Sequence, residues 1–194
     1  MKKSTNLEYF EVLEGLKNVV RFKPYPKQHE PVAGHVCLAM MLAHDILNNY
    51  DLGLDKNHVL ELLLYHDLAE VGMEYDIPAY SVFNDEDAKQ KKYEVEFEKI
   101  KNISTKYNRP RLQELYAEFE NGTTMEAKFA LFCDKFEGMF NVLSKNCAGF
   151  KTEQDFEVLL TYADEYVVYF PQLQGLVDEL KAHVLNLKKS TMDW

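Results

Sequence analysis

The sequence predicts an all-α protein, a helical bundle built as a single domain. Three observations carry that prediction. Apolar residues recur at helical spacing along most of the chain, no run of alternating β-branched residues offers a sheet, and capping and stop signals cut the helical pattern into segments.

Leu7 to Val20 reads as a first helix, followed by an irregular stretch, Arg21 to Pro31, that holds three of the six prolines. Val32 to Tyr50 is a second helix, stopped by Asn48-Asn49-Tyr50-Asp51-Leu52-Gly53. Asp55 is a natural N-cap for a third, carried by Val59, Leu60, Leu62 and Leu63 to about Ala69. Val71 to Asp85, with Gly72 and Pro78, reads as a loop. Glu86 to Ser104 returns to helix, and Pro110 suits the first turn of another that reaches Glu120 and closes at Asn121-Gly122. Thr123-x-x-Glu126 offers a capping box for a long apolar helix, Ala127 to about Asn146, and Thr152-x-x-Asp155 offers a second. Two further helices follow, divided at Phe170-Pro171.

At 194 residues one buried core is expected, so residues 1–194 are assigned to one domain. Lys and Arg number 22 against 32 Asp and Glu, a net charge of −10 with no long basic cluster, which argues against a duplex nucleic-acid surface. The apolar runs are too short for a membrane span. Lys2 and Lys3 have no apolar stretch behind them, so no secretory signal is read and a cytoplasmic location is expected. Cys37, Cys133 and Cys147 are odd in number and lack CxxC spacing, and are read as reduced packing residues.

The chemistry-bearing candidates are few. His66-Asp67 closes an apolar helical run, and Glu70 follows four and three residues later, close on the same helix end. Imidazole with carboxylate suits a borderline divalent ion. His35 lies among apolar neighbours near the start of the second helix, where a lone histidine is more often a hydrogen-bonded core residue. Asp134 lies within a helix that otherwise reads as buried, and a buried carboxylate needs a cation or donors. Lys135 is next to it, although adjacent helical residues point about 100° apart. His44-Asp45 is a second His-Asp pair, but nine residues from His35 is a turn of about 900°, which puts the two histidines on opposite sides of one helix. It is read as a surface or packing pair. Tyr162, Tyr166, Tyr169 and Phe170, at helical spacing, are read as core or dimer contacts rather than a base-stacking platform, and His183 as a surface residue.

His35, then His66-Asp67, then Asp134 resembles the H…HD…D pattern of the HD-domain superfamily of metal-dependent phosphohydrolases. His66-Asp67-Leu68-Ala69-Glu70 resembles its HDxxE segment, Asp76-Ile77-Pro78 its following loop, and Thr124-Met125-Glu126-Ala127 with Asp134-Lys135-Phe136-Glu137 its closing helix. The branch most similar is that of the bacterial 5′-deoxynucleotidases and their HD-containing relatives. Departures are Gly34 for the usual glutamate, Phe22 for the usual tryptophan, and Tyr75 for the glycine before Asp76 in a loop one residue longer. Val71 stands where alarmone hydrolases have a second acid, and the HNxxH motif of cyclic-nucleotide phosphodiesterases is missing.

The resemblance implies a motif-bearing core over about residues 16–143 with C-terminal helices 152–188 packed on it. It implies one divalent ion (Mn, Co, Fe, Zn or Mg) held by His35, His66, Asp67 and Asp134. Glu70 would position or deprotonate water, Arg21 would clamp a phosphate with Phe22 beside it, and Asp76 would approach the sugar or leaving-group oxygen. The implied reaction is hydrolysis of a small phosphomonoester, most simply a nucleoside 5′-monophosphate. The alternatives are a phosphatase for a non-nucleotide phosphomonoester and a non-catalytic, metal-bound scaffold. The apolar content outside the core hints at a homodimer.

Overall fold

A computed structural model describes residues 6–22, 25–73, 86–150 and 152–192, and they form an all-helical bundle with one two-residue strand pair. The helices are α1 (Asn6–Glu14), α2 (Val32–Asn49), α3 (Lys56–Tyr65), α4 (Glu86–Tyr107), α5 (Arg111–Asn121), α6 (Met125–Ser144), α7 (Glu153–Thr161), α8 (Asp164–Val167) and α9 (Gln174–Met192). None is long and apolar enough to cross a membrane.

Most of the expected boundaries hold because their caps form. Asp55 accepts from the Asn57 and His58 amides at 2.9 and 3.2 Å and starts α3. Gly122, at φ +54°, closes α5 in the left-handed conformation. Thr152 and Asp155 form a complete capping box for α7.

Several boundaries differ; the stretch before Phe170-Pro171, read as one helix, is divided into α7 and α8, so three helices stand where two were expected. The first helix ends at Glu14, not Val20: a 3-10 turn, Gly15–Asn18, follows, and Val20–Arg21 forms strand β1 against Glu30–Pro31, β2. A Cβ at Gly15 would meet Val71 Cγ1 at 3.1 Å, so the turn uses glycine for a close approach. The third helix stops at Tyr65, not Ala69, and tightens into a 3-10 turn, Leu68–Glu70. The cap of α6 is Thr124, one residue later than expected; its hydroxyl accepts from the Ala127 amide at 3.0 Å. Glu126 instead accepts from the Asp55 amide at 3.1 Å, tying the starts of α3 and α6 together.

Two apolar clusters make the core. The larger joins Ala39, Ala43 and Ile46 of α2 and Leu62 and Leu63 of α3 to Phe129 and Phe132 of α6, with Phe156, Phe170 and Val177 from the C-terminal helices. The smaller joins Tyr9, Val32, Val36, Leu68, Ile100, Leu112 and Tyr116. His35 lies between Val32 and Ala39, and His66 between Leu63 and Leu68, so both histidines fall on the seam between the clusters. Of the cysteines, Cys133 and Cys147 are buried as expected, with burial pushing the Cys147 thiol up to about 11, but Cys37 is exposed because it lies on the outer face of α2.

Gly34 occupies the first turn of α2, and a Cβ there would have only Pro31 Cδ near it, at 4.0 Å. Gly34→Ala is therefore expected to stabilise the fold by about 0.5 kcal/mol, by removing freedom from the unfolded chain. A denaturant titration should show a raised midpoint at unchanged slope.

Candidate metal centre

Helix α2 brings His35 to the seam fully buried, and α6 brings Asp134 opposite it. His66 caps α3 in helical conformation, while Asp67, at φ −96° and ψ 11°, has already left it. Successive residues of a regular helix would diverge by about 100°. The tightening of the chain after Tyr65 is what lets His66 Nε2 and Asp67 Oδ2 come within 3.2 Å.

The donor atoms converge. His35 Nε2 lies 3.2 Å from His66 Nε2, 3.0 Å from Asp134 Oδ1 and 3.8 Å from Asp67 Oδ2, and His66 Nε2 lies 3.8 Å from Asp134 Oδ1. Ligands about 2.0–2.2 Å from a first-row ion sit about 3.0–3.5 Å from one another, a range that holds the 3.0 and 3.2 Å spacings, while the two of 3.8 Å are slightly longer than such an edge. The outer nitrogens fix the tautomers. His66 Nδ1–H donates to the Leu63 carbonyl at 2.8 Å, and His35 Nδ1–H donates to Glu137 Oε2. Each ring is thereby left with an Nε2 lone pair facing the other, an arrangement that a shared proton or a cation resolves. His35, His66 and Asp134 form a group able to hold a metal ion, and Asp67 borders it.

The electrostatics agree. Burial and the Arg21 charge pull His35 down, yet hydrogen bonds to Asp134 and Glu137 outweigh them and lift it to about 9 in the metal-free protein. Burial raises Asp67, but His66, His35 and Arg21 hold it well below the usual carboxylate range. Asp134 is held down likewise, against burial, by Lys135 and His35.

Around this centre lies a second ring of charge, of which the sequence had named Arg21 but not its carboxylate partners as a group. Arg21 is buried, with Nη1 3.5 Å from both Glu30 Oε2 and Glu137 Oε2 and Nη2 3.9 Å from Asp134 Oδ1. Strand pairing places Arg21 opposite Glu30. Burial and the Glu137 charge raise Glu30 despite Arg21. Glu30, His35 and Glu137 form a second group of metal-binding type, sharing His35 with the first. Glu137 had a sequence signal, an acid three residues after Asp134 on one face of an apolar helix. Glu30, in an irregular proline-rich stretch, had none.

Of the remaining candidates, Phe22 flanks Arg21, whose guanidinium carbon is 5.4 Å from the ring centroid, and adopts φ +60° at the turn after β1. Glu70 is buried on the 3-10 turn behind Asp67 but joins neither ligand group. Asp76 lies outside the described residues. His44 and Asp45 are exposed, the surface alternative of the two read for that pair. Lys135 does reach Asp134, Nζ to Oδ2 at 2.7 Å, because its long stem spans the angle between neighbouring helical positions.

Glu137→Gln keeps an acceptor for His35 Nδ1 but removes its charge. Metal affinity is expected to fall about 10- to 100-fold, as it does when the carboxylate behind a ligating histidine is lost. Titration of the metal-free variant with Mn²⁺, followed by electron paramagnetic resonance, would measure it.

No curated protein matches this chain. Among solved structures, a protein of Pyrococcus horikoshii OT3 superposes with a TM-score of 0.70 at 20% identity, over 91% of this chain and 99% of that one. A conserved hypothetical protein of Pyrococcus furiosus superposes with a TM-score of 0.69 at 18% identity, over the same shares of the two chains. At these identities the likeness is one of fold. The family model described as the HD domain matches residues 13–169, which include His35, His66-Asp67 and Asp134, and on that match the chain belongs to the HD domain family, generally metal-dependent phosphohydrolases.

Proposed function

We propose that this protein hydrolyses nucleoside 5′-monophosphates to nucleoside and phosphate, with one divalent ion held by His35, His66, Asp67 and Asp134. The observation that carries the reading is the convergence of two imidazole Nε2 atoms, their Nδ1 hydrogens committed outward, on the carboxylates of Asp67 and Asp134. When bound, the ion supplies Lewis-acid polarisation of the phosphoryl oxygen and a lowered pKa for attacking water.

The residues divide the remaining work. Leu63 and Glu137 hold the two rings in the tautomer that presents Nε2. Asp67 and Asp134, kept ionised, offset cationic charge. In the proposed reaction a water oxygen forms a bond to phosphorus as the P–O bond to the leaving group breaks. Glu70 takes a proton from water, the leaving alkoxide takes one from solvent, and Glu70 then releases its proton to solvent, which restores the balance. Arg21 contributes positive charge beside Asp134, with Phe22 packed against it, and Asp76 is assigned to the leaving-group side. Residues 152–188 are taken as part of the same unit.

The test is phosphate release from a panel of nucleoside 5′-monophosphates and simple phosphomonoesters. Chelator-stripped protein would be reloaded separately with Mn²⁺, Co²⁺, Fe²⁺, Zn²⁺ and Mg²⁺, with Asp67→Ala as control. Metal-dependent release that favours nucleotides and vanishes in the variant supports the reading. Release only from other esters makes it a non-nucleotide phosphatase, and silence with metal bound makes it a scaffold.

A further inference from the structure

Two of the C-terminal tyrosines, Tyr162 and Tyr166, lie beside the site region, where the sequence favoured core or dimer contact over a base-stacking platform. Phe170 is buried in the core, but Tyr162 and Tyr166 are half-buried and line a cleft of about 380 Å³ together with Lys92, Tyr93, Leu131 and Lys135. The cleft touches the metal centre through Lys135, which pairs with Asp134 Oδ2 while Asp134 Oδ1 faces His35. Lys135 Nζ lies 5.1 Å from the centre of the Tyr162 ring. Gly138, one turn after Asp134 on α6, is flanked by both systems: a Cβ there would lie 3.9 Å from Arg21 Nη2 and 3.9 Å from Tyr162 Cε1. Tyr162 therefore stands beside the charged cluster.

The cations around the centre are not equivalent. Arg21 is enclosed by Glu30, Asp134 and Glu137. Lys135 pairs with Asp134 through its ammonium and its side chain also borders the cleft. An ammonium on a flexible stem has three donors and can hold a carboxylate while accepting a second anion. The cleft's other lysines are committed further out, Lys89 to Glu86 and Lys92 to Glu96. Glu86, Glu120 and Glu165 line the cleft as well and balance its three lysines, so the cation nearest the centre is Lys135, with aromatic faces beside it. That order matches a molecule with an anionic head and a planar aromatic body.

We propose that this cleft binds the substrate, with Lys135 contacting the phosphate and Tyr162 stacking on an aromatic ring of the leaving group. The enzyme then selects phosphomonoesters bearing an aromatic ring over aliphatic ones. This rests on the phosphohydrolase reading, but its test does not depend on turnover.

The probes are phenylphosphonate and methylphosphonate, which share a head group and are not hydrolysed. Their binding to Mn²⁺-loaded protein is read from paramagnetic broadening of the phosphorus resonance, after Mn²⁺ stoichiometry has been checked for each variant. Wild-type protein is expected to bind phenylphosphonate roughly five- to tenfold more tightly, the worth of one aromatic stacking contact. Tyr162→Leu should abolish that preference and leave methylphosphonate unchanged, and Tyr162→Phe should keep it. Lys135→Met should weaken both probes alike by about tenfold or more, with partial recovery in Lys135→Arg. Equal binding of the two probes by wild-type protein, or a preference that survives Tyr162→Leu, overturns the inference. Phosphonate binding of the expected pattern without turnover of any ester would overturn the activity and leave the cleft standing.

Discussion

Asp134→Ala is expected to bind Mn²⁺ at least about 100-fold more weakly than the wild type, exceeding the loss from removing an outer partner of a ligand. Asp134 holds several parts together. Its Oδ1 is 3.0 Å from His35 Nε2 and 3.8 Å from His66 Nε2, and its Oδ2 carries Lys135. Without it the two imidazoles face Asp67 alone, and the Lys135 ammonium has lost the anion that kept it protonated in a buried place. Metal-dependent phosphate release should vanish with metal binding. Asp134→Asn, which keeps the shape, separates charge from size and should show nearly the same loss. Unchanged affinity in both variants would remove Asp134 from the ligand set.

The second large effect is a pH dependence. In the metal-free protein His35 holds its proton up to about pH 9, against an ordinary value of 6.5. A folded-state pKa above the unfolded value contributes stability fully present below 6.5 and lost as pH rises through 9, here on the order of 3 kcal/mol. A metal ion must displace that proton from the imidazole. Its apparent affinity should therefore fall about tenfold for each pH unit below 9, until the unbound ring is already neutral above it. Thermal unfolding with and without Mn²⁺ between pH 6.5 and 9 would show both trends: the metal-free protein weakening as pH rises, and the stabilisation by metal growing. Glu137→Gln, which removes the charge that helps lift His35, should shift the affinity curve toward lower pH. A flat affinity across this range would show that His35 binds no proton in competition with metal.

Much of the site was legible in the sequence because its donors stand out against apolar helices. An acid such as Asp134 among Phe129, Leu131 and Phe132 has few ways to be offset, whereas His35 among Val32, Val36 and Ala39 reads alone as a core histidine and entered the candidate set through the resemblance. The helices were legible because their caps are local: Asp55, Thr152 and Gly122 act on amides and carbonyls within a few residues. The errors came where a boundary depends on distant contacts. The first helix stops early because the chain must pair Val20–Arg21 with Glu30–Pro31 and let Gly15 approach Val71.

By itself, then, the sequence determined an all-α chain, which follows from short-range periodicity, and the cost of burying charge marked Asp134; the full set His35, His66, Asp67 and Asp134 was proposed only from the resemblance to the H…HD…D pattern. Only the tertiary structure decided which nitrogen of each histidine faces inward, that Glu30 and Glu137 enclose Arg21, and that Tyr162 and Lys135 share a cleft beside Asp134. Those outcomes join residues up to 116 positions apart, as in the Arg21–Glu137 pair. Their geometry comes from how the helices pack at the seam between two cores, which no local pattern encodes.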